Sequence, residues 1–141
     1  MLRISWERTG DEVVDRLGGQ FVERAARYAR GGSYERRMEK YNRYIKFLVF
    51  LGGRFGPEDI RNIQPYHVAM FIRHLRDVGR SENTIARYIA VIRWWHDKIP
   101  LHRYNLPENA ILKELEARLD DKAYREEIKN RCRVKRHGRR L

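Results

Sequence analysis

Apolar residues in this chain recur at steps of three and four and almost never alternate. From position 34 the run Tyr34, Met38, Tyr41, Ile45, Leu48 and Leu51 holds that step without a break. An α-helix repeats roughly every 3.6 residues, so such a run lies as one stripe along a helix, whereas a strand would need a period of two. Alternating β-branched runs and Asn-Gly turns are missing. The expected fold class is therefore all-α, a compact bundle of four to five helices.

Caps and breakers divide the chain. Residues 10–30 predict a first helix capped by Asp11, with Val13, Val14, Leu17, Phe21, Ala25 and Tyr28 on its apolar side. Gly18-Gly19 interrupts that run and Gly31-Gly32 ends it. Residues 33–51 predict a second helix, with Ser33 as N-cap and Gly52-Gly53 closing it. Gln64-Pro65-Tyr66 opens a third, built on Val68, Phe71, Ile72 and Leu75 and ended by Gly79. Ser81 caps a fourth, with Thr84 at N3, a stripe of Ile85, Tyr88, Ile89, Ile92 and Trp95, and a stop at Pro100. Adjacent residues cannot both face one core, and of Trp94 and Trp95 the second is expected inside. Pro107 starts a fifth helix carrying Ile111, Leu112, Leu115 and Leu119. From Lys122 onward apolar content falls, which reads as a basic tail whose first part can be helical. The expected division is a helical extension over 1–32, a core domain over 33–121 and a tail over 122–141.

Charge narrows the class of partner. The 141 residues hold 31 Lys/Arg against 19 Asp/Glu, a net charge of +12. Residues 1–32 are nearly neutral, so the positive field belongs to the middle and the C-terminal end. Seven Lys/Arg and no acid fall within 129–140. A field of this sign favours a polyanion, nucleic acid first and an anionic membrane surface second. The longest apolar run, Phe47 to Leu51, is too short to cross a bilayer, and Met1 to Trp6 is too short and charged for a signal peptide. The expected location is cytoplasmic and nucleoid-associated, or nuclear in a eukaryotic host.

Other chemistry finds little support. The single cysteine, Cys132, cannot form an internal disulfide, and it reads as an incidental thiol more readily than as one activated by Arg131 and Arg133. His67, His74, His96, His102 and His137 show no metal-ligand spacing, and no glycine-rich loop matches a phosphate or dinucleotide fingerprint. No cofactor and no small-molecule substrate are expected.

The order of pieces in the middle of the chain is itself distinctive. A helix with Tyr41, Ile45 and Leu48 is followed by Glu58-Asp59-Ile60, then by His67-Val68, Phe71-Ile72 and Leu75. Next come Gly79-Arg80-Ser81-Glu82-Asn83-Thr84-Ile85, Tyr88, Ile92 and Trp95-His96, and finally Pro107 with the Ile111–Leu115 helix. Over roughly residues 33 to 119 this resembles the SAM-like N-terminal, or core-binding, domain of phage-integrase-type tyrosine recombinases. That family continues into a catalytic domain with Arg, Lys, a His-x-x-Arg pair and a tyrosine nucleophile. Here the sequence stops at Leu141, and the His137…Arg140 spacing sits in an arginine-rich tail where chance explains it. The resemblance implies DNA binding without strand cleavage, hence no enzyme.

Candidate contacts follow from basic residues outside the apolar stripes. They are Arg36, Arg37, Lys40 and Arg43 on the second helix, and Arg80, Ser81, Asn83, Thr84 and Arg87 on the fourth. Arg93 is a further basic residue of the fourth helix, and Lys135 and Arg136 represent the tail. A helix start suits phosphate, and Asn83 and Arg87, one turn apart, carry groups that pair with adenine and guanine edges. Each has a plainer reading: a solvated face for the cations, a capping element for Asn83, and core packing for Tyr41, Tyr44, Tyr88, Trp94 and Trp95. The resemblance implies that the two helices face the major groove of double-stranded DNA. The expected function is site-selective DNA binding by an accessory or regulatory factor of a mobile element or virus. A full-length recombinase, or a second copy on DNA, is a further candidate partner. Two alternatives stay open: a module that pairs with or inhibits a recombinase, with residues 10–30 as contact element, and the DNA-binding half of a split recombinase. RNA fits less well, because its deep, narrow major groove is poorly read by helices.

Overall fold

The computed structural model describes residues 9–25, 34–54, 57 and 59–135. Those residues form six α-helices and no strand: α1 (Glu12–Ala25), α2 (Tyr34–Arg54), α3 (Pro65–Asp77), α4 (Glu82–Lys98), α5 (Asn109–Ala117) and α6 (Lys122–Cys132). A 3-10 turn over Ile60–Asn62 precedes α3. None of these helices is long and apolar enough to cross a membrane.

Local chemistry sets several boundaries. Asp11 Oδ1 accepts from the Val14 N–H at 3.0 Å and starts α1. Ser81 Oγ accepts from the Thr84 N–H at 3.2 Å and starts α4, as its place in the sequence predicts. Pro65 occupies the first turn of α3, where its missing N–H costs nothing. The end of α3 is a Schellman turn: Gly79 takes φ +84°, its N–H donates to Arg76 O, and the Arg80 N–H reaches back to Leu75 O.

The glycine pairs inside these helices break neither of them, although Gly52-Gly53 is expected to close α2. Gly18-Gly19 lies inside an unbroken α1, and α2 runs through Gly52-Gly53 to Arg54. Gly52 marks a close crossing instead. A Cβ placed there would run into Val14 Cγ2 and stand 2.9 Å from the Val14 backbone. The absent side chain lets α1 lie directly on α2. The expected cap Ser33 and the ending Gly31-Gly32 lie outside the described residues, as does the stretch 26–30 at the close of the expected first helix.

The main core joins α1, α2, α3 and α4. Phe21 of α1 stacks on Tyr41 at 5.2 Å between centroids, lies 4.7 Å from Tyr44, and meets Trp95 edge-on at 4.8 Å. With Val14, Leu17 and Phe21 buried, α1 is a layer of the core rather than an appended extension, and its apolar face is not free to serve a partner. Trp95 is buried and Trp94 lies at the boundary, as expected. The Trp95 indole N–H donates to Lys40 O at 3.2 Å, while Arg43 lies over the Tyr88 ring. Position rises along α2 as it falls along α4, so the two helices run antiparallel.

A smaller cluster forms on the other side of α3. There the small Ala69 lets Leu115 of α5 and Ile128 and Cys132 of α6 pack closely. Glu116, only 6% exposed, ties α5 to α3 by accepting from Arg73 Nε at 2.9 Å and Arg76 Nε at 2.8 Å. The stretch expected as a basic tail therefore begins with a packed helix. Beyond α6 the chain pairs with the 103–105 loop, where the Asn105 N–H donates to Cys132 O and the Val134 N–H to Arg103 O.

Candidate nucleic-acid interface

The antiparallel packing of α2 and α4 leaves a groove along their outer seam. Lys40 and Arg43 line it from α2, Arg87, Ala90 and Val91 from α4, and its volume is about 280 Å³. Glu39 lies in the same groove and pairs with Arg43, one turn along α2. Arg43 is held further by the Tyr88 ring, 5.7 Å from its guanidinium carbon. Arg87 and Lys40 are exposed. Three residues expected as DNA contacts thus come together from two helices.

The seam continues at both ends. Toward the C-terminal end of α4, the Lys40 and Lys98 ammoniums lie 4.5 and 4.4 Å from the centre of the Trp94 ring. A cation over an indole face is attracted by the ring quadrupole. Trp94 thereby gathers two charges from different helices at one spot. Toward the start of α4, Lys46 lies one turn beyond Arg43 and lines a second groove with Arg80. The separation of Lys40 and Lys46 along α2 is about 9 Å. Lys46 and Lys98 are not among the contacts expected from sequence, although Lys98 follows Trp94 by four residues, which puts the two on one helix face.

At the start of α4 the polar residues divide their roles. Ser81 and Thr84 are bonded to each other, Ser81 Oγ donating to Thr84 Oγ1 at 3.0 Å, in addition to the cap itself. Asn83 is exposed and makes no part of this cap. The acid of that turn, Glu82, is drawn aside by an ion pair with Arg76. Along the outer face of α4, Asn83, Ala86, Arg87 and Ala90 are all exposed.

Other basic residues serve the fold. Arg93 fastens α4 to the chain before α5, donating to Asn109 Oδ1 at 2.7 Å and 3.1 Å and to the carbonyls of Leu106 and Pro107. Burial lowers its pKa and Asp97 opposes the shift. Its place off the apolar stripe suggests a surface contact, but it works as a clamp. Lys135 is exposed in the extended segment after α6 and has no place in the seam grooves. Arg36 and Arg37 fall within α2, but their side chains lie outside the described residues, as does all of Arg136. Burial raises the Cys132 thiol, against a smaller opposite effect of Arg131, which takes it away from thiolate chemistry.

Among the described residues no three His, Cys, Asp or Glu side chains gather as a metal site. No family model, no curated protein and no solved structure matches the chain.

Proposed function

We propose that this chain is a double-stranded DNA-binding module that lays the α2–α4 seam against the major groove and performs no bond chemistry of its own. The observation that carries the reading is the gathering of Lys40, Arg43 and Arg87 in one groove, continued by Lys98 at one end and by Lys46 and Arg80 at the other. Glu39, the acid within that groove, pairs with Arg43, so Lys40 and Arg87 carry the groove's net positive charge. A row of cations with this continuity suits a phosphate backbone, whose condensed counterions are released on binding. The exposed Asn83 and Arg87 supply groups for base edges, and Ala86 and Ala90 beside them allow close approach of α4 to the groove floor. Lys135 and the basic sequence after it add positive charge that can serve as a sequence-independent anchor.

The resemblance to recombinase core-binding domains agrees with this docking, since in that family the corresponding helices face the major groove. In that light the chain is an accessory or regulatory factor that occupies sites a full recombinase uses, as a competitor or an architectural partner. The direct test is an amide chemical-shift map recorded while duplex DNA is added. Amides over 39–50 and 80–98 should be perturbed. Perturbation confined to 103–135 would overturn it.

A further inference from the structure

Beside the cationic seam lies an apolar groove of about 430 Å³ between α2, the end of α3 and the start of α4. Its floor includes Phe50, Phe71 and Tyr88, and no acid lines it among the described residues. Two valines form its lips. Val49, on α2, is 44% exposed, and Val78, at the end of α3, is 56% exposed. The Schellman turn at Gly79 holds Val78 outward, because the Arg80 N–H is fastened back to Leu75 O. Lys46 and Arg80 stand beside these valines. The groove is continuous with the seam, since the Tyr88 ring that forms part of its floor also lies under Arg43.

Apolar lips set among cations suit an anionic surface that also presents methyl groups. The major groove of DNA is such a surface: thymine displays a C5-methyl there beside the phosphate rows. We propose that Val49 and Val78 contact thymine C5-methyls and bias the protein toward thymine-containing steps. This rests on the DNA-binding reading above. It goes further in assigning specificity to two residues that carry no polar group. A peptide with apolar anchors is the competing occupant, and the continuity with the cationic seam favours DNA.

The test removes methyl groups from the ligand and from the protein in turn. Binding is measured to an alternating A·T duplex and to the same duplex with deoxyuridine in place of thymidine. Each thymine methyl buried should favour the first by about fourfold, the value of one apolar carbon removed from water. In the Val49→Ala, Val78→Ala double variant both duplexes should bind alike. Circular dichroism checks that the variant, altered only at exposed positions, remains folded. Equal binding of the two duplexes by the native chain would overturn the proposal and leave the DNA reading standing. A preference that persists in the double variant would also overturn it, placing the methyl contact elsewhere. Failure to bind either duplex at low salt would remove the DNA reading and the proposal with it.

Discussion

Gly19 and Gly52 both lie inside helices, and a methyl group added to each should move stability in opposite directions. In an exposed helix interior, Gly→Ala gains about 1 kcal/mol from reduced backbone freedom in the unfolded chain. Gly19 meets this condition, since a Cβ there has nothing within 4 Å. Gly52 does not. Its Cβ would collide with Val14 Cγ2 and sit 2.9 Å from Val14 Cα and N. Side-chain rotation can relieve the first contact but not the backbone contacts, so α1 must move off α2, taking Leu17 and Phe21 with it. Overpacking of this kind costs about 3 kcal/mol, which leaves a net loss of about 2 kcal/mol after the propensity gain. For a chain of this size that is a fall in Tm of about 8 °C. Urea unfolding followed by circular dichroism measures both variants. Gly19→Ala should gain up to about 1 kcal/mol and Gly52→Ala should lose about 2 kcal/mol. A Gly52→Ala protein as stable as the native one would refute the close crossing of α1 and α2.

Three further outcomes follow from buried polar groups. Glu116→Gln removes the charge shared by Arg73 and Arg76 and should lower stability by about 2 kcal/mol, less than for a fully buried triad because both arginines reach water; an unchanged urea midpoint would show that the α3–α5 clamp carries no weight. Tyr44→Phe should raise stability by about 1 kcal/mol, since the fully buried Tyr44 hydroxyl has no partner among the described residues; a loss would mean that this hydroxyl is satisfied in solution. His67 and His96 are both held at about 4 rather than 6.5, chiefly by burial, with Lys129 adding to the effect at His67. The geometry agrees: His67 Nδ1 already accepts from the Gln64 N–H, and His96 Nδ1 is buried with no partner among the described residues to receive a proton. Above pH 6.5 neither state is charged and stability is level. As pH falls from about 6.5 to about 4, the unfolded chain binds two protons that the fold refuses. The histidine contribution drops by up to about 3 kcal/mol per residue and is complete near pH 4. Urea midpoints that stay constant across that window would contradict both burials.

Much of the fold is legible in the sequence because its signals are local. Ser81, Thr84 and the Ile85–Trp95 stripe predict α4 nearly to the residue, since capping and periodicity act within a few positions. Gly52-Gly53 reads as a stop because the sequence cannot show that α1 returns to lie across it. Arg87 and Arg93 look alike in sequence, each off the apolar stripe of one helix. The loop at 106–109 folds back and turns the second into a clamp, and that long-range contact separates them. The helix α6 is faint in the sequence because few of its residues are apolar, yet Tyr124, Ile128 and Cys132 stand four apart and form the face it buries. At the candidate interface, the basic residues can be chosen from their helices, but their meeting in one groove depends on the antiparallel pairing of α2 and α4. Lys98 joins them through the Trp94 ring, a contact that the i,i+4 spacing allows and charge counting alone does not single out.

The central claim is that the α2–α4 seam neutralises DNA phosphates, and the most direct test is the salt dependence of duplex binding. Fluorescence anisotropy with a labelled duplex, repeated across a salt series, gives the log–log slope for the native chain and for the Lys40→Ala, Arg87→Ala double variant. Both side chains are exposed, so the variant should keep its fold. The double variant should bind more weakly, with a slope shallower by about 1.8, roughly 0.9 for each phosphate no longer neutralised. An unchanged slope and affinity would show that the seam makes no phosphate contacts and contradict its role in DNA binding.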